Sequence, residues 1–166
     1  MPLEKDIPQT WDKSRNHIAC VEDAVAKAHQ ICSKKGARLT PMRLRILELI
    51  WRSHKPIGAY ALLDEIKLEH KSAAPPTVYR ALDFLMEHGL VHRIQSLNAF
   101  VGCNDPGHVH SGIILICKDC GDALEMDDVK ISETIASFTK NLGFQLSTQS
   151  IEATGICPVC RAYDYQ

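Results

Sequence analysis

Two short cysteine pairs, Cys117-Lys118-Asp119-Cys120 and Cys157-Pro158-Val159-Cys160, constrain this chain more than anything else in it. Separated by 36 residues, they can supply four thiolates to one ion, which would close the fold. Tetrahedral four-sulfur sites suit zinc. Gly121 follows the first pair and permits the tight reversal that aims backbone N–H groups at sulfur. A single Cys-x-x-Cys also fits a redox dithiol, but two pairs in one short chain favour a structural zinc. Seven cysteines are an odd number, and metal ligation explains them better than disulfides in a reducing compartment. No apolar run is long enough to span a membrane, and the first residues lack the apolar core of a signal peptide, so a cytoplasmic protein is expected.

Charge divides the chain. Residues 1–100 carry 15 Lys/Arg and 11 Asp/Glu, whereas residues 101–166 carry 4 and 9. Six basic residues and no acidic one lie between Ala24 and Leu47. An N-terminal part that meets a polyanion, joined to a C-terminal part that does not, accounts for this asymmetry; a solvated helix face is the plainer alternative.

Apolar periodicity predicts a helix over 16–33, with Ile18, Val21, Val25, Ala28 and Cys32 on one stripe and Gly36 as its stop. Thr40-Pro41 reads as N-cap and first residue of a helix to Trp51, with Leu44, Leu47, Ile50 and Trp51 inward. Residues 55–58 read as a turn, 59–69 as a third helix, and 76–89 as a fourth with Val78, Leu82, Leu85 and Met86 buried. Alternation over 90–95 and 99–103 predicts a hairpin. Helices followed by a hairpin give the order of a winged helix-turn-helix module. Asn104-Asp105-Pro106-Gly107 is a turn-rich hinge. Beyond it, strands at 113–117 and 123–126, a helix over 128–142 and a strand over 144–153 surround the knuckles. The expected fold class is α+β: a winged-helix domain over 1–103, a hinge over 104–107, and an α/β dimerisation domain with a four-cysteine zinc site over 108–166.

A winged module lays its recognition helix in the major groove, where N-terminal side chains reach the bases. Here those are Thr77, Tyr79 and Arg80. Arginine donates two bonds to guanine, and tyrosine or threonine holds a phosphate or packs on a thymine methyl. Arg38, Arg43 and Arg45, with Lys34 and Lys35, are candidates for the phosphate backbone. Tyr79 packed under the wing and Arg80 in a surface ion pair are the structural alternatives. A second metal set is visible around the hinge. His92 and Cys103 precede it, His108 and His110 follow it, and Glu125 lies on the strand after the first knuckle. Two imidazoles, a thiolate and a carboxylate make a four-coordinate site, and the cysteine favours zinc over manganese or ferrous iron. Singly, each residue has a plainer role as surface, filler or loop; Cys20 and Cys32 are assigned to packing.

Arg38-Leu39-Thr40-Pro41-Met42-Arg43, Pro75-Pro76-Thr77-Val78-Tyr79-Arg80-Ala81-Leu82-Asp83-Phe84-Leu85, the paired knuckles and Ile151–Cys157 give the chain a resemblance, from about 24 to 160, to the ferric-uptake-regulator superfamily, closest to its zinc-uptake branch. The resemblance implies a homodimeric, zinc-responsive repressor that binds AT-rich palindromic operators of zinc-uptake genes, dimerising through its C-terminal part. It places a structural zinc on Cys117, Cys120, Cys157 and Cys160, and a regulatory zinc on His92, Cys103, His110 and Glu125, about two ions per chain. It adds Tyr60 to Arg80, Tyr79, Thr77 and Arg38 as DNA contacts. Iron-sensing relatives carry a denser His-His-Asp-His run before the first knuckle; His108-Val109-His110 departs from it and leaves the role of His108 open. The alternatives are a related sensor of iron, manganese, nickel or peroxide, or a thiol redox switch. No zinc-hydrolase helix motif, phosphate loop, nucleophile elbow or deaminase signature occurs, so neither an enzyme nor a small organic substrate is expected.

Overall fold

A computed structural model describes Trp11 and residues 17–53, 55–107 and 112–163. These fall into two compact units, one within residues 12–108 and the other within residues 109–166 together with Trp11. The architecture is α+β.

The first unit holds α1 (His17–Lys34), α2 (Pro41–Trp51), β1 (Ile57–Gly58), α3 (Ala59–Glu69), α4 (Pro75–Glu87), β2 (Val91–Ile94) and β3 (Ala99–Gly102). Helix α2 begins where Thr40-Pro41 predicts: the Thr40 hydroxyl accepts from Arg43 N–H at 3.4 Å, and Pro41 sits where a helix has no N–H to lose. Helix α4 also opens on proline, and Gly89 ends it at φ +67. Ile46, Leu47, Leu62, Ile66, Val78, Leu82 and Leu85 are fully buried where α2, α3 and α4 meet. Each such side chain stabilises the fold by roughly 1.5–3 kcal/mol relative to exposure.

The N-terminal stripe differs from expectation. Ala24, Ala28 and Cys32 are buried, but Ile18 is 70% exposed, because α1 packs through small residues in its later turns. Trp51 and Met86 are half-buried and pack against the first unit's core as expected, whereas Leu44 is half-buried. The predicted turn at 55–58 contains a strand. Ile57 and Gly58 pair antiparallel with Phe100 and Ala99, so the wing has three strands in the order β1-β3-β2. The β2–β3 hairpin pairs Val91 with Gly102, His92 with Val101 and Ile94 with Ala99. Asn98 closes it at φ +47, accepting from Arg93 at 2.7 Å.

The second unit holds β4 (Gly112–Cys117), β5 (Ala123–Met126), α5 (Val129–Asn141), β6 (Ser150–Gly155) and α6 (Pro158–Tyr163). The sheet order is β5-β4-β6, with β4 and β6 parallel. The last strand starts six residues later than predicted and runs on to Gly155, and the short helix α6 adds to the predicted elements. Strand β4 is the most buried, through Ile113, Ile114, Ile116 and Cys117. Helix α5 buries no residue. Its Ile131, Ile135 and Phe138, with Leu142 at the C-cap, follow helical spacing, and Phe138 and Leu142 are 68% and 82% exposed. Among the described residues, no helix is long and apolar enough to cross a membrane.

Candidate metal centre and nucleic-acid interface

The parallel pairing of β4 with β6 builds the four-cysteine corner. Its last pair is Cys117 with Gly155, so both knuckles begin at the same end of the sheet. Gly121, at φ +76, turns the first knuckle back, and its N–H donates to Cys117 O at 2.9 Å. Lys118 N–H donates to Gly155 O at 2.9 Å and ties the first knuckle to the second. The first turn of α6 carries Cys160. All four Sγ atoms lie within 4.8 Å of one another, and Cys120 and Cys157 Sγ are 3.9 Å apart. A tetrahedron with zinc–sulfur bonds of about 2.3 Å has sulfur–sulfur edges of about 3.8 Å, so the donor set fits zinc.

Backbone N–H groups converge on the sulfurs: Cys157 N–H on Cys117 Sγ at 3.3 Å, and Cys160 N–H on Cys157 Sγ at 3.4 Å. Burial pushes the Cys117 thiol up, but N–H groups at Cys120, Cys157 and Asp119 outweigh it and hold the thiol at about 6. Cys160 is pushed up to about 12, first by its hydrogen bond with Cys157 and then by burial. Burial also raises Cys120. The corner thus favours a thiolate at Cys117 and resists ionisation of Cys120 and Cys160, the electrostatics of a site that ionises fully only around a cation. Trp11, Leu115, Thr154 and Pro158 help line a cavity of about 250 Å³ against Cys117 and Cys157.

The second predicted metal set is distributed over both units. His92 lies half-buried on β2, and Cys103 follows β3, 2% exposed, with its N–H donating to Leu90 O at 3.0 Å. A ring nitrogen of His92 and Cys103 Sγ lie within 4.8 Å of each other. Glu125 is half-buried on β5. His108 and His110 lie outside the described residues. Cys32 sits in the first unit's core, where burial pushes its thiol up, and Cys20 is half-buried.

On α4, Val78, Ala81, Leu82, Phe84 and Leu85 turn inward, which leaves Tyr79 40% exposed and Arg80 exposed. Arg80 makes no ion pair among the described residues, and Tyr79 is not sealed under the wing. Thr77 is half-buried. Tyr60, the second residue of α3, is 66% exposed; no periodicity marks an exposed tyrosine, so only the resemblance picked it out. Two of the predicted backbone cations are engaged elsewhere. Arg43 stacks 3.5 Å over the Phe84 ring and donates to Arg38 O; Phe84 in turn stacks on His88 at 4.1 Å. Arg45 is held by Glu69 and by Glu48, the latter at 3.2 Å. Lys34, Lys35 and Arg38 remain at least partly exposed.

Residues 34–154 match the family model described as the ferric uptake regulator family. The chain is 38% identical over 142 residues to the zinc uptake regulation protein of Escherichia coli K12, covering 84% of this chain and 82% of that protein. It is similar to the solved structure of a zinc uptake regulator complexed with zinc and DNA, with TM-score 0.84 and 36% identity over 88% of this chain and 98% of that one. It is also similar to the crystal structure of holo XcZur, with TM-score 0.78 and 44% identity over 84% of this chain and 98% of that one. On sequence, fold and the four-cysteine corner together, the chain belongs to the ferric uptake regulator family.

Proposed function

We propose that this protein is a zinc-responsive transcriptional repressor, a cytoplasmic homodimer that binds AT-rich palindromic operators of zinc-uptake genes when loaded with zinc. The observation that carries the reading is the combination of a winged module exposing Tyr79 and Arg80 on α4 with similarity to zinc uptake regulation proteins and to a zinc- and DNA-bound regulator. The reading is of a regulator and not of an enzyme.

Two zinc ions per chain are proposed. Cys117, Cys120, Cys157 and Cys160 hold the structural ion, supported by their fit to a tetrahedron. His92, Cys103, His110 and Glu125 hold the regulatory ion, supported by the proximity of the His92 and Cys103 donor atoms on one wing. A thiolate–imidazole pair selects zinc over harder ions. In the proposed organisation, residues 104–107 are the hinge between a DNA-binding part (1–103) and a dimerisation part (108–166). Gly107, at φ +98, supplies the turn that Asn104-Asp105-Pro106 sets up. Ligands from both sides of the hinge make the angle between the parts depend on the effector, and in a dimer that angle sets the spacing of the two recognition helices. The apolar stripe of α5 is the surface a second copy covers.

The test is zinc content per chain before and after dialysis against a mild chelator, with both samples titrated against an AT-rich palindrome. The expected result is two zincs falling to one, with operator binding lost on dialysis and restored by zinc alone. One zinc throughout, with binding unchanged, rejects the reading.

The DNA contacts carry a separate prediction. Arg80→Ala is expected to weaken operator binding by about 1–3 kcal/mol and to relax preference at one base pair. Arg38→Ala is expected to lower the slope of log affinity against log salt by about 1, because a phosphate contact releases counterions. Arg45→Met should leave that slope unchanged, since Glu48 and Glu69 already neutralise the side chain. Operator titrations at several salt concentrations measure all of these.

A further inference from the structure

We infer that Trp51, at the end of α2, is the positioning residue for the wing pair Cys103 and His92, through a size-matched contact with Gly102. The inference rests on the regulatory role proposed above for that pair.

Strand β3 is held on both sides. Its start pairs with β1, through Phe100 and Ile57, and its whole length with β2, through His92 opposite Val101 and Val91 opposite Gly102. Its far end is keyed to α2 instead. A Cβ built on Gly102 would lie 2.6 Å from Trp51 Cζ2 and closer still to Cε2 and Nε1, so the indole occupies the space any other residue would need. No φ constraint accounts for this glycine; the close approach of the ring does. The indole Nε1 is buried with no hydrogen-bond partner among the described residues, so the fit against the strand, not a hydrogen bond, sets the ring's position.

The consequence for the ligands is local. Cys103 is the next residue, fixed by its N–H bond to Leu90 O, and His92 follows Val91, the pairing partner of Gly102. A displacement at Gly102 therefore moves the thiolate directly and the imidazole through the register. Interactions just outside a metal's ligands orient those ligands, and disturbing them typically costs about 10–100-fold in metal affinity.

The experiment uses full-length protein that retains the four-cysteine zinc and titrates it with cobalt(II), which reports a coordinated thiolate by its charge-transfer absorption. Gly102→Ala is expected to weaken cobalt binding about 10–100-fold with that zinc retained. Adding Trp51→Leu, which makes room for the new methyl, is expected to restore most of the affinity. Wild-type affinity and spectrum in Gly102→Ala, or no recovery in the double variant, would overturn the assignment. Failure of the regulatory reading is distinguishable: the wild-type chain itself would then show no thiolate–cobalt band, which removes the pair that Trp51 is inferred to position. Should Gly102→Ala not fold, a Trp11→Phe chain makes Trp51 the sole tryptophan. Its emission is expected to change when zinc fills the second site and to stay unchanged when Cys103→Ser is added; an emission insensitive to zinc overturns the inference.

Discussion

Cys117→Ser is expected to yield a chain that purifies without its structural zinc, lacks a folded C-terminal unit and no longer dimerises. The physical reason is the poverty of that unit's own core. Its described fully or nearly buried apolar side chains are confined to β4 and Cys157, and α5 buries nothing. A unit of this size needs a staple, since small domains bury too little surface to offset the entropy of ordering. A structural zinc supplies roughly 10–16 kcal/mol, against a total of about 5–15 kcal/mol for a typical folded domain. Cys117 is the most consequential ligand to remove. It ends the central strand, is 1% exposed, and accepts the Cys157 N–H that joins the two knuckles. The winged unit has its own core and should keep its helices. Metal content, sedimentation velocity and far-ultraviolet circular dichroism on one preparation check this. A Cys117→Ser protein that stays dimeric with a full complement of zinc would remove the four-cysteine corner from its structural role.

Much of this fold was legible in the sequence, for identifiable reasons. Helices α2, α3 and α4 carry strong local signals: Thr40-Pro41 at one start, Pro75-Pro76 at another, Gly89 at an end, and apolar side chains at helical spacing between. The four-cysteine corner was legible because ligand spacing is itself a distance constraint. What escaped detection depends on partners remote in sequence. Two residues, Ile57 and Gly58, carry no period; only pairing with β3 makes them a strand. Arg43 and Arg45 look alike on a basic stretch, yet Phe84 and Glu69, both far along the chain, decide what each does. The stripe on α1 failed at Ile18 because periodicity shows which residues share a face but not how far along the helix a neighbour reaches. Gly102 and Trp51 lie 51 positions apart, and nothing local to either announces the contact.

The largest functional effect is expected from Cys103→Ser, which should bind the operator at its metal-free affinity whatever the zinc concentration. The substitution is close to isosteric at a position only 2% exposed, and the backbone bond from Cys103 N–H to Leu90 O does not depend on the side chain. The wing should therefore keep its register, and the four-cysteine zinc should stay in place. What changes is the donor: a serine hydroxyl stays protonated near neutral pH, whereas a thiol beside a dication ionises and binds it. An effector shifts an equilibrium only by its difference in affinity for the two states, and a coupling of about 1–3 kcal/mol corresponds to roughly 5–150-fold in operator affinity. Removing the strongest ligand of the proposed set is expected to abolish that difference and to leave the zinc-independent binding proposed for Arg80 and the exposed lysines. Operator titrations of wild type and variant, with and without added zinc, read the coupling directly. A Cys103→Ser dimer that retained its structural zinc and still gained the full zinc-dependent affinity would show that the signal enters elsewhere, through another metal set or through the remaining thiols.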